Sequence, residues 1–415
     1  MRRITLGFLL ALSVGCGNST HEAGPSALVV EVAAERTFDG RSLGRTGGSL
    51  ALVGSGQEAV LAWSRVEDNQ RSEIVAQRFN SSLDEADELE RISGPVPKWL
   101  TEPSLCGDDH GLSAAWSGGT GSLPEGITTD TGYVEASLDR NDAARLRVQD
   151  DLTGEETGSA LACAPDGSRA MTWGHRCYAI EKHDDYFITF EPEQCKTEPS
   201  DGLYMQVFGR DGVPAAAPRK LSGSDQGDVA AIAAAGRDRF IVVTPGAVQL
   251  RSRSGDLLDQ APIGSQLHER HSSVACLGTR CAAAFGWGTV QLWTFDANDL
   301  EHALKTVIRE REDTAPGEAE YGASPHVACD ETSGCVVTWV LMHGVIVDEY
   351  FGYDESLVIY ARAFDLEGGR MGEDESIAGG ENLDDGALIA SIGAGSFVTA
   401  RLGISDITMQ HLQVK

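Results

Sequence analysis

Acidic side chains are the most numerous groups in this sequence that could carry out chemistry. The chain of 415 residues contains 63 Asp and Glu residues against 33 Lys and Arg residues. Adjacent carboxylates occur at 150–151, 184–185 and 384–385, and paired carboxylates are what acid–base hydrolysis of a glycosidic bond requires. Because acids are so frequent here, their pairing does not separate a catalytic site from a solvated surface. The acidic pairs therefore identify no catalytic residue.

One other segment combines histidine and cysteine side chains that could carry out chemistry. His175 and His183 lie on either side of Cys177, a composition that could bind a metal ion. We expect the cysteine to be oxidised and both histidines to be solvated in a loop. The sequence also has no GxSxG nucleophile elbow and no HExxH helix. We therefore predict no catalytic residues, no metal ligands and no enzyme activity.

The nine cysteines are typical of an oxidising compartment. Setting Cys16 aside leaves eight, an even number that suits a disulfide framework. Cys276 and Cys281, like Cys329 and Cys335, flank short turns between strands, where opposed residues come within bonding distance. Cys177 and Cys195 bracket one insertion, and Cys106 and Cys163 remain as a pair. Zinc is the alternative for close cysteines, but no CxxC spacing supports it.

The formal charge of −30 limits the possible partners. So acidic a chain repels the phosphates of nucleic acids and anionic lipid surfaces. The simplest explanation of this charge is that it keeps the protein soluble. Weakly held Ca²⁺ is the other option, although no segment has the alternating acids and glycine of a calcium loop. We therefore expect no cofactor and no nucleic acid.

The N-terminus has the pattern of an export signal. Arg2 and Arg3 precede an apolar stretch from Ile4 to Leu12, and small residues lead to Cys16. This pattern resembles bacterial lipoproteins, although Ser13 stands where Leu is usual. The resemblance implies a signal peptide at 1–15, lipidation of Cys16, a tether at 16–26, and an anchor in the cell envelope, more often the outer membrane. The alternative is an ordinary cleaved secretion signal.

Short apolar segments recur along the rest of the chain at intervals of tens of residues. The second segment of each unit is the clearest, and it ends in Trp63, Trp116, Trp173, Thr244, Phe285, Trp339 and Ala400. A third segment follows each, with apolar and polar residues alternating at period two, as in Ile359 to Phe364. Such repetition is typical of arrays built from one small supersecondary unit.

These units, of VVxW and IxAxxFDxxG type, resemble the degenerate repeats of secreted and envelope β-propellers. The resemblance implies an all-β fold at 27–415 with seven blades of four antiparallel strands. Their bounds are about 47–93, 94–150, 151–222, 223–264, 265–315, 316–378, and 379–415 plus 27–34. Two β-sandwich domains, or a ring of six or eight blades, are the alternatives.

The last unit has no fourth strand of its own. A strand-like segment at 28–33 belongs to no unit, so we predict that it pairs beside 407–412. This pairing would close the ring and remove two open edges.

Long connections between second and third strands mark the region where function could lie. They occur in units 1, 2, 3 and 6, and in a propeller such connections emerge on one face. Variable loops on a rigid scaffold are common binding sites. Two of these loops contain the candidate binding residues Tyr178, Tyr186, Phe187, Phe190, Tyr350, Phe351 and Tyr353. The alternative is that these loops pack their own aromatics into small cores or extend the strands into longer hairpins.

The repeated tryptophans are better explained by packing between blades than by a cofactor site of the kind found in quinone-dependent propeller enzymes.

From the export signal, the cysteines and the long connections together, we predict a monomeric envelope protein that binds a partner protein or surface polymer. A carbohydrate-active enzyme with acids near a central funnel is the alternative.

Overall fold

A computed structural model of the chain describes most of the propeller region. The described residues are 28–39, 45–67, 71–93, 99–108, 111–119, 133–138, 144–147, 155–176, 179–183, 186–190, 202–222, 230–263, 272–286, 288–310, 312–315, 318–347, 350–353, 357–367, 371–380, 387–403 and 406–415. Within these ranges all regular structure is β-strand. No helix there is long and apolar enough to span a bilayer.

Four antiparallel strands form each of the first three main sheets. Sheet 1 consists of β2 (Arg45–Ser55), β3 (Glu58–Glu67), β4 (Arg71–Phe79) and β5 (Glu90–Arg91). Sheet 2 consists of β6 (Trp99–Asp108), β7 (Gly111–Gly119), β8 (Tyr133–Leu138) and β9 (Ala144–Arg147). Sheet 3 consists of β10 (Glu155–Cys163), β11 (Arg169–Arg176), β14 (Gly202–Phe208) and β15 (Arg219–Ser222). A separate hairpin, β12 (Ala179–His183) and β13 (Tyr186–Phe190), lies between β11 and β14 in the chain.

The remaining sheets continue the same order. Sheet 4 consists of β16 (Ala231–Ala235), β17 (Arg239–Thr244), β18 (Ala247–Ser252) and β19 (Leu257–Pro262). Sheet 5 consists of β20 (Ser272–Leu277), β21 (Arg280–Phe285), β22 (Val290–Asp296) and β23 (Asp299–Arg309). Sheet 6 consists of β24 (Glu312–Ala315), β25 (Glu318–Asp330), β26 (Gly334–Val347), β27 (Tyr350–Tyr353), β28 (Leu357–Phe364) and β29 (Glu375–Gly380). Sheet 7 consists of β30 (Leu388–Gly393), β31 (Ser396–Leu402), β32 (Asp406–Val414) and β1 (Val30–Asp39).

Hydrophobic clusters between neighbouring sheets arrange these units in a ring. Each of the seven clusters takes its buried side chains from two sheets that follow one another, and one cluster joins sheet 7 to sheet 1. The inner strands are rich in alanine because adjacent sheets approach closely there. The second strands are covered on both sides, so β21 is buried from Cys281 to Phe285. The β-propeller arrangement predicted from the sequence is confirmed.

The predicted number of four-stranded blades is wrong. The structure has six four-stranded blades, not seven, because sheet 6 contains six strands. Its β25 and β26 are 13 and 14 residues long, so they extend past the other sheets. The extensions pair with two additional short strands, β24 beside β25 and β27 beside β26.

The N-terminal strand closes the ring, as predicted. β1 pairs with β32 in antiparallel register from Val30 opposite Val414 to Asp39 opposite Asp406. Side chains reinforce the pairing, since the hydroxyl groups of Thr37 and Thr408 lie 3.1 Å apart. Arg36 then donates a hydrogen bond of 2.9 Å to the carbonyl oxygen of Leu83, in the connection between β4 and β5 of sheet 1. The closing strand therefore binds both the last sheet and the first.

Stability should fall in mild acid because of His411, which lies on β32 opposite Ala34 of the closing strand. Burial lowers the pKa of His411 from its ordinary value, although a hydrogen bond to Ser81 acts in the opposite direction. When folding lowers the pKa of a histidine, the unfolded chain is protonated at a higher pH than the folded chain. The free energy of unfolding should therefore decrease as the pH falls below about 6.5.

Urea titrations at about pH 7.5 and about pH 5.5 test this expectation. The decrease should be smaller in the His411→Gln variant than in the wild-type chain. An equal decrease in both proteins would assign the pH dependence to other groups.

Three disulfides lie within the described residues, and all three match the predicted pairing. Cys106–Cys163 joins sheets 2 and 3, whereas Cys276–Cys281 and Cys329–Cys335 each join the first two strands of one sheet. Their presence is consistent with an oxidising, extracellular or envelope compartment. The pair Cys177 and Cys195 and the lipidation residue Cys16 lie outside the described residues.

Removing the disulfide between sheets 2 and 3 should lower the free energy of unfolding more than removing a disulfide within a hairpin. Cys106 and Cys163 are 57 residues apart, compared with 5 for Cys276 and Cys281. The loop-entropy relation gives about 4 kcal/mol for the long loop and about 2 kcal/mol for the short one. Urea unfolding of the two double-alanine variants measures the difference, and equal losses would contradict the expectation.

Candidate functional site

The predicted binding face is the end of the ring where second and third strands are connected. In all seven sheets these strands are antiparallel neighbours, so equivalent connections emerge at the same end. We call the end formed by the connections β3–β4, β7–β8, β11–β14 and β26–β28 the long-connection face. The equivalent connections in sheets 4, 5 and 7 are short. The face is therefore uneven: extra chain lies between the strands in sheets 2, 3 and 6, whereas in sheet 1 it lengthens β3 and β4, which leave only 68–70 between them.

Breaks in strand register occur in the inner strands of those same four sheets. They lie between Thr46 and Leu50, Thr101 and Ser104, Thr157 and Ala160, and Ala323 and His326. No register shift interrupts the pairing of β16 with β17 or of β20 with β21, and in sheet 7 the shift between Ser391 and Gly393 lies at the turn from β30 to β31. A bulge bends a strand and increases its twist. The bulges therefore mark where each of the four sheets leaves the common ring and continues into the long-connection face.

Four buried tryptophans support the base of these extensions. Trp63, Trp116, Trp173 and Trp339 are each 1% exposed, and each belongs to a cluster shared by two sheets. The ring of Trp173 stacks on Tyr204 with centroids 6.0 Å apart, and Trp339 stacks on Tyr360 at 5.7 Å. Their interpretation as packing residues is confirmed.

Six of the seven candidate binding residues lie on two short strands of the long-connection face. Tyr186, Phe187 and Phe190 belong to β13, which pairs with β12. Tyr350, Phe351 and Tyr353 belong to β27, which pairs with the extension of β26. Tyr178 lies outside the described residues. The aromatic segments are thus strands of hairpins, as expected under the alternative that the loops extend strands into longer hairpins.

His175 occupies a different environment from the one expected. It is 1% exposed at the end of β11, where we expected a solvated side chain. Its ring meets the ring of Tyr204 edge-on, with centroids 6.1 Å apart. The expectation was wrong because β11 continues to Arg176, so His175 belongs to the sheet and not to the following loop.

A buried carboxylate in sheet 1 gave no signal in the sequence. Glu73 is fully buried on β4 and forms an ion pair with Arg65, the residue opposite it on β3. Its second oxygen lies 3.6 Å from Nε of Arg91 on β5. The three residues join three consecutive strands below the β3–β4 connection. Because removal of one member of a buried pair leaves a charge without compensation, this cluster has a structural role.

The opposite end of the ring has a cleft of about 530 Å³ between sheets 5, 6 and 7. Its walls include the turns closed by Cys276–Cys281 and Cys329–Cys335, and the acids Asp330, Glu331, Asp365 and Glu367. Arg280 in this cleft forms an ion pair with Glu367. Among the described residues, no group of three or more His, Cys, Asp or Glu residues could hold a metal ion.

Asp330 joins sheets 6 and 7 at that cleft. It accepts hydrogen bonds from the backbone N–H of Thr332 at 2.9 Å and of Gly395 at 3.0 Å. Burial alone would raise the pKa of Asp330, but the bonds from Thr332, Gly395 and Ser333 together bring it below the ordinary value. The ionised Asp330 is therefore a structural link between two turns.

Comparison with known proteins identifies no family for this chain. No protein-family model matches the sequence, and no curated protein matches it. A solved structure described as a protein of unknown function from Dyadobacter fermentans DSM 18053 has a TM-score of 0.44 and 11% identity, covering 93% of this chain and 99% of that one. Another, the Hadza microbial sialidase Hz136, has a TM-score of 0.43 and 10% identity, covering 90% of this chain and 68% of that one.

Proposed function

We propose that this protein is a binding or scaffold module of the cell envelope. It would engage a partner protein or a surface polymer through the long-connection face. The proposal concerns one end of a rigid ring, where extra chain is inserted in sheets 3 and 6 as ordered strands.

The observation that supports this proposal most strongly is the pair of hairpins β12–β13 and β26–β27. β12 and β13 lie between the second and third strands of sheet 3, and β27 lies between those of sheet 6, so all three belong to the same end of the ring. The strands β12, β13 and β27 lie outside the regular four-stranded units, and only β26 belongs to one. A protein that only had to close its ring would need none of the three additional strands, whereas ordered insertions on a scaffold are typical of recognition surfaces.

The proposed location depends on the N-terminus. Lipidation of Cys16 would hold the ring at a membrane by its lipid, with no spanning helix required. The three disulfides support a compartment in which thiols are oxidised. A tether such as 16–26 would leave both ends of the ring accessible to partners.

Crosslinking in cell envelopes followed by affinity capture tests the binding role. The wild-type chain is compared with a variant lacking 178–190 and 348–356, which removes both hairpin segments. The matched control is Leu257→Ser with Leu258→Ser, since these side chains are exposed on the outer strand β19. We expect one partner to be enriched with the wild type and the control, and lost with the deletion. Equal recovery with the deletion variant would contradict the proposed role of this face.

A further inference from the structure

The end of the ring opposite the long-connection face is divided by charge. In sheets 3 and 4 the turns at this end and their flanking residues contain eight Lys and Arg residues against four Asp residues: 164–169, 209–220, 236–239 and 251–256. The described parts of the equivalent turns in sheets 5 and 6 contain eight acids and one arginine: 278–280, 296–299, 330–334, 365–367 and 371–374. A chain with a formal charge of −30 thus has a local surface of the opposite sign.

A cleft of about 390 Å³ lies among these basic turns. Arg239, at the turn from β16 to β17, and Arg253, in the turn from β18 to β19, both line it. Two guanidinium groups from separate turns of sheet 4 therefore face one concave surface. A cleft of this size can accommodate a small ligand.

The partners of both arginines leave them able to contact a ligand. Arg239 donates a hydrogen bond of 2.8 Å to the neutral Oδ1 of Asn298, and a guanidinium group has five N–H donors in all. Nη1 of Arg253 lies 3.6 Å from Oδ2 of Asp166, and the two side chains are 57% and 25% exposed. Ion pairs of this kind contribute little to stability because water and salt screen them. An anionic ligand can therefore replace Asp166 as the partner of Arg253 without disrupting the fold.

A third arginine adds positive charge to the wall of the cleft. Arg251 is 6% exposed, and it donates to neutral oxygens, Oε1 of Gln249 at 2.6 Å and the carbonyl oxygen of Gly255 at 3.2 Å. Burial lowers the pKa of Arg251 from its ordinary value, while Asp256 acts in the opposite direction. An arginine side chain nevertheless stays charged at neutral pH. Because Gly255 belongs to the same turn as Arg253, this buried charge supports the turn that lines the cleft.

These charges match a phosphate group. Arg239 and Arg253 exceed the acid in the same wall, Asp238, by one charge, and the buried Arg251 adds another. A phosphate monoester carries about two negative charges at neutral pH, and its oxygens fit the planar fork of a guanidinium group. We propose that this cleft binds the phosphate group of an ester, either in solution or in a lipid headgroup, through Arg239 and Arg253.

This site goes beyond the proposed function, because it lies at the other end of the ring from the hairpins. The variant lacking 178–190 and 348–356 should therefore bind phosphate esters as the wild-type chain does. A failure of phosphate binding would leave the capture of a hairpin-dependent partner unaffected, so the two proposals fail separately.

Two probes with the same phosphate chemistry test the inference. Isothermal titration uses glycerol phosphate, and co-sedimentation uses phosphatidylcholine vesicles with and without phosphatidic acid. We expect the wild-type chain to bind at least one probe, and Arg239→Gln with Arg253→Gln to weaken that binding by at least about tenfold. The matched control is Arg280→Gln with Lys415→Gln, which removes the same charge from the acidic cleft at the same end of the ring. This control should bind as the wild type does.

A conservative variant separates the guanidinium contacts from general attraction. Arg239→Lys with Arg253→Lys keeps both charges but loses the planar fork, so its affinity should lie between those of the wild type and the glutamine variant. Arginine-dependent binding of glycerol phosphate alone would assign a soluble ester, and arginine-dependent binding of the vesicles would assign a lipid headgroup. Binding of neither probe would overturn the inference, as would an equal loss in the control or equal affinity in the lysine variant and the wild type. Urea midpoints verify that all variants remain folded.

Discussion

A chain that begins at residue 40 should lose its cooperative unfolding transition. Residues 28–39 contain β1, the fourth strand of sheet 7. Without them, β32 becomes an open edge, although its Ile407, Met409 and Leu412 are fully buried in the complete chain. The tilted contact between the rings of Phe38 and Phe79, with centroids 5.1 Å apart, is lost as well. We expect the free energy of unfolding to fall by more than about 5 kcal/mol, which is comparable to the whole stability of many domains.

Urea unfolding followed by circular dichroism measures this loss, and size-exclusion chromatography detects the association that a new strand edge promotes. The matched control begins at residue 28, so that it keeps β1. An unchanged urea midpoint in the shorter chain would mean that the ring does not depend on this strand.

Trp339→Ala should cause the largest loss of stability of any single substitution in the interior. The indole is 1% exposed in the cluster shared by sheets 5 and 6, and it stacks on Tyr360. Arg362 lies over the same ring at 5.9 Å from its centroid. Removal of a buried aromatic leaves a cavity that the surrounding sheets can only partly fill, at a cost of about 3–5 kcal/mol.

Equilibrium unfolding of Trp339→Ala and Trp339→Phe measures this cost. The phenylalanine variant should lose less, because it preserves most of the apolar volume. Trp173, which stacks on Tyr204, should behave in the same way, with a larger loss of stability on substitution by alanine than by phenylalanine. A loss below about 1 kcal/mol at Trp339 would contradict the view that this residue holds two sheets together.

The strands could be located from the sequence because their signals are local. The alternation of Leu357 to Phe364 is present in the structure, where every second side chain of β28 is buried before Phe364. The closing strand was recognisable from 28–33. Its continuation through Glu35, Arg36 and Thr37 was not, since these polar residues become part of a strand by pairing with the long β32.

The two additional strands of sheet 6 could not be predicted from the local sequence pattern. β24 and β27 are four residues each, too short to be stable alone, and they form strands only because β25 and β26 extend beyond the ring. Strand preference depends strongly on such neighbours. The aromatic residues 350–353 therefore looked like part of a loop.

The buried charges could not be predicted for a similar reason. Asp330 is bound by Gly395, 65 positions away in sequence, and Glu73 is enclosed by Arg65 and Arg91 on adjacent strands. Their surroundings exist only after the sheets have assembled. In a chain with 63 acids, nothing in the sequence distinguishes these two from the solvated majority.

The most direct test of the closed ring is a covalent link between β1 and β32. The hydroxyl oxygens of Thr37 and Thr408 are 3.1 Å apart, although the residues are 371 positions apart in sequence. In the Thr37→Cys, Thr408→Cys variant, mild oxidation should form a disulfide within one chain, identified by mass spectrometry of the joined peptides. The single variant Thr37→Cys should give no such product. If the double variant stays unlinked, or links only between different chains, the two ends of this protein do not meet and the ring is not closed.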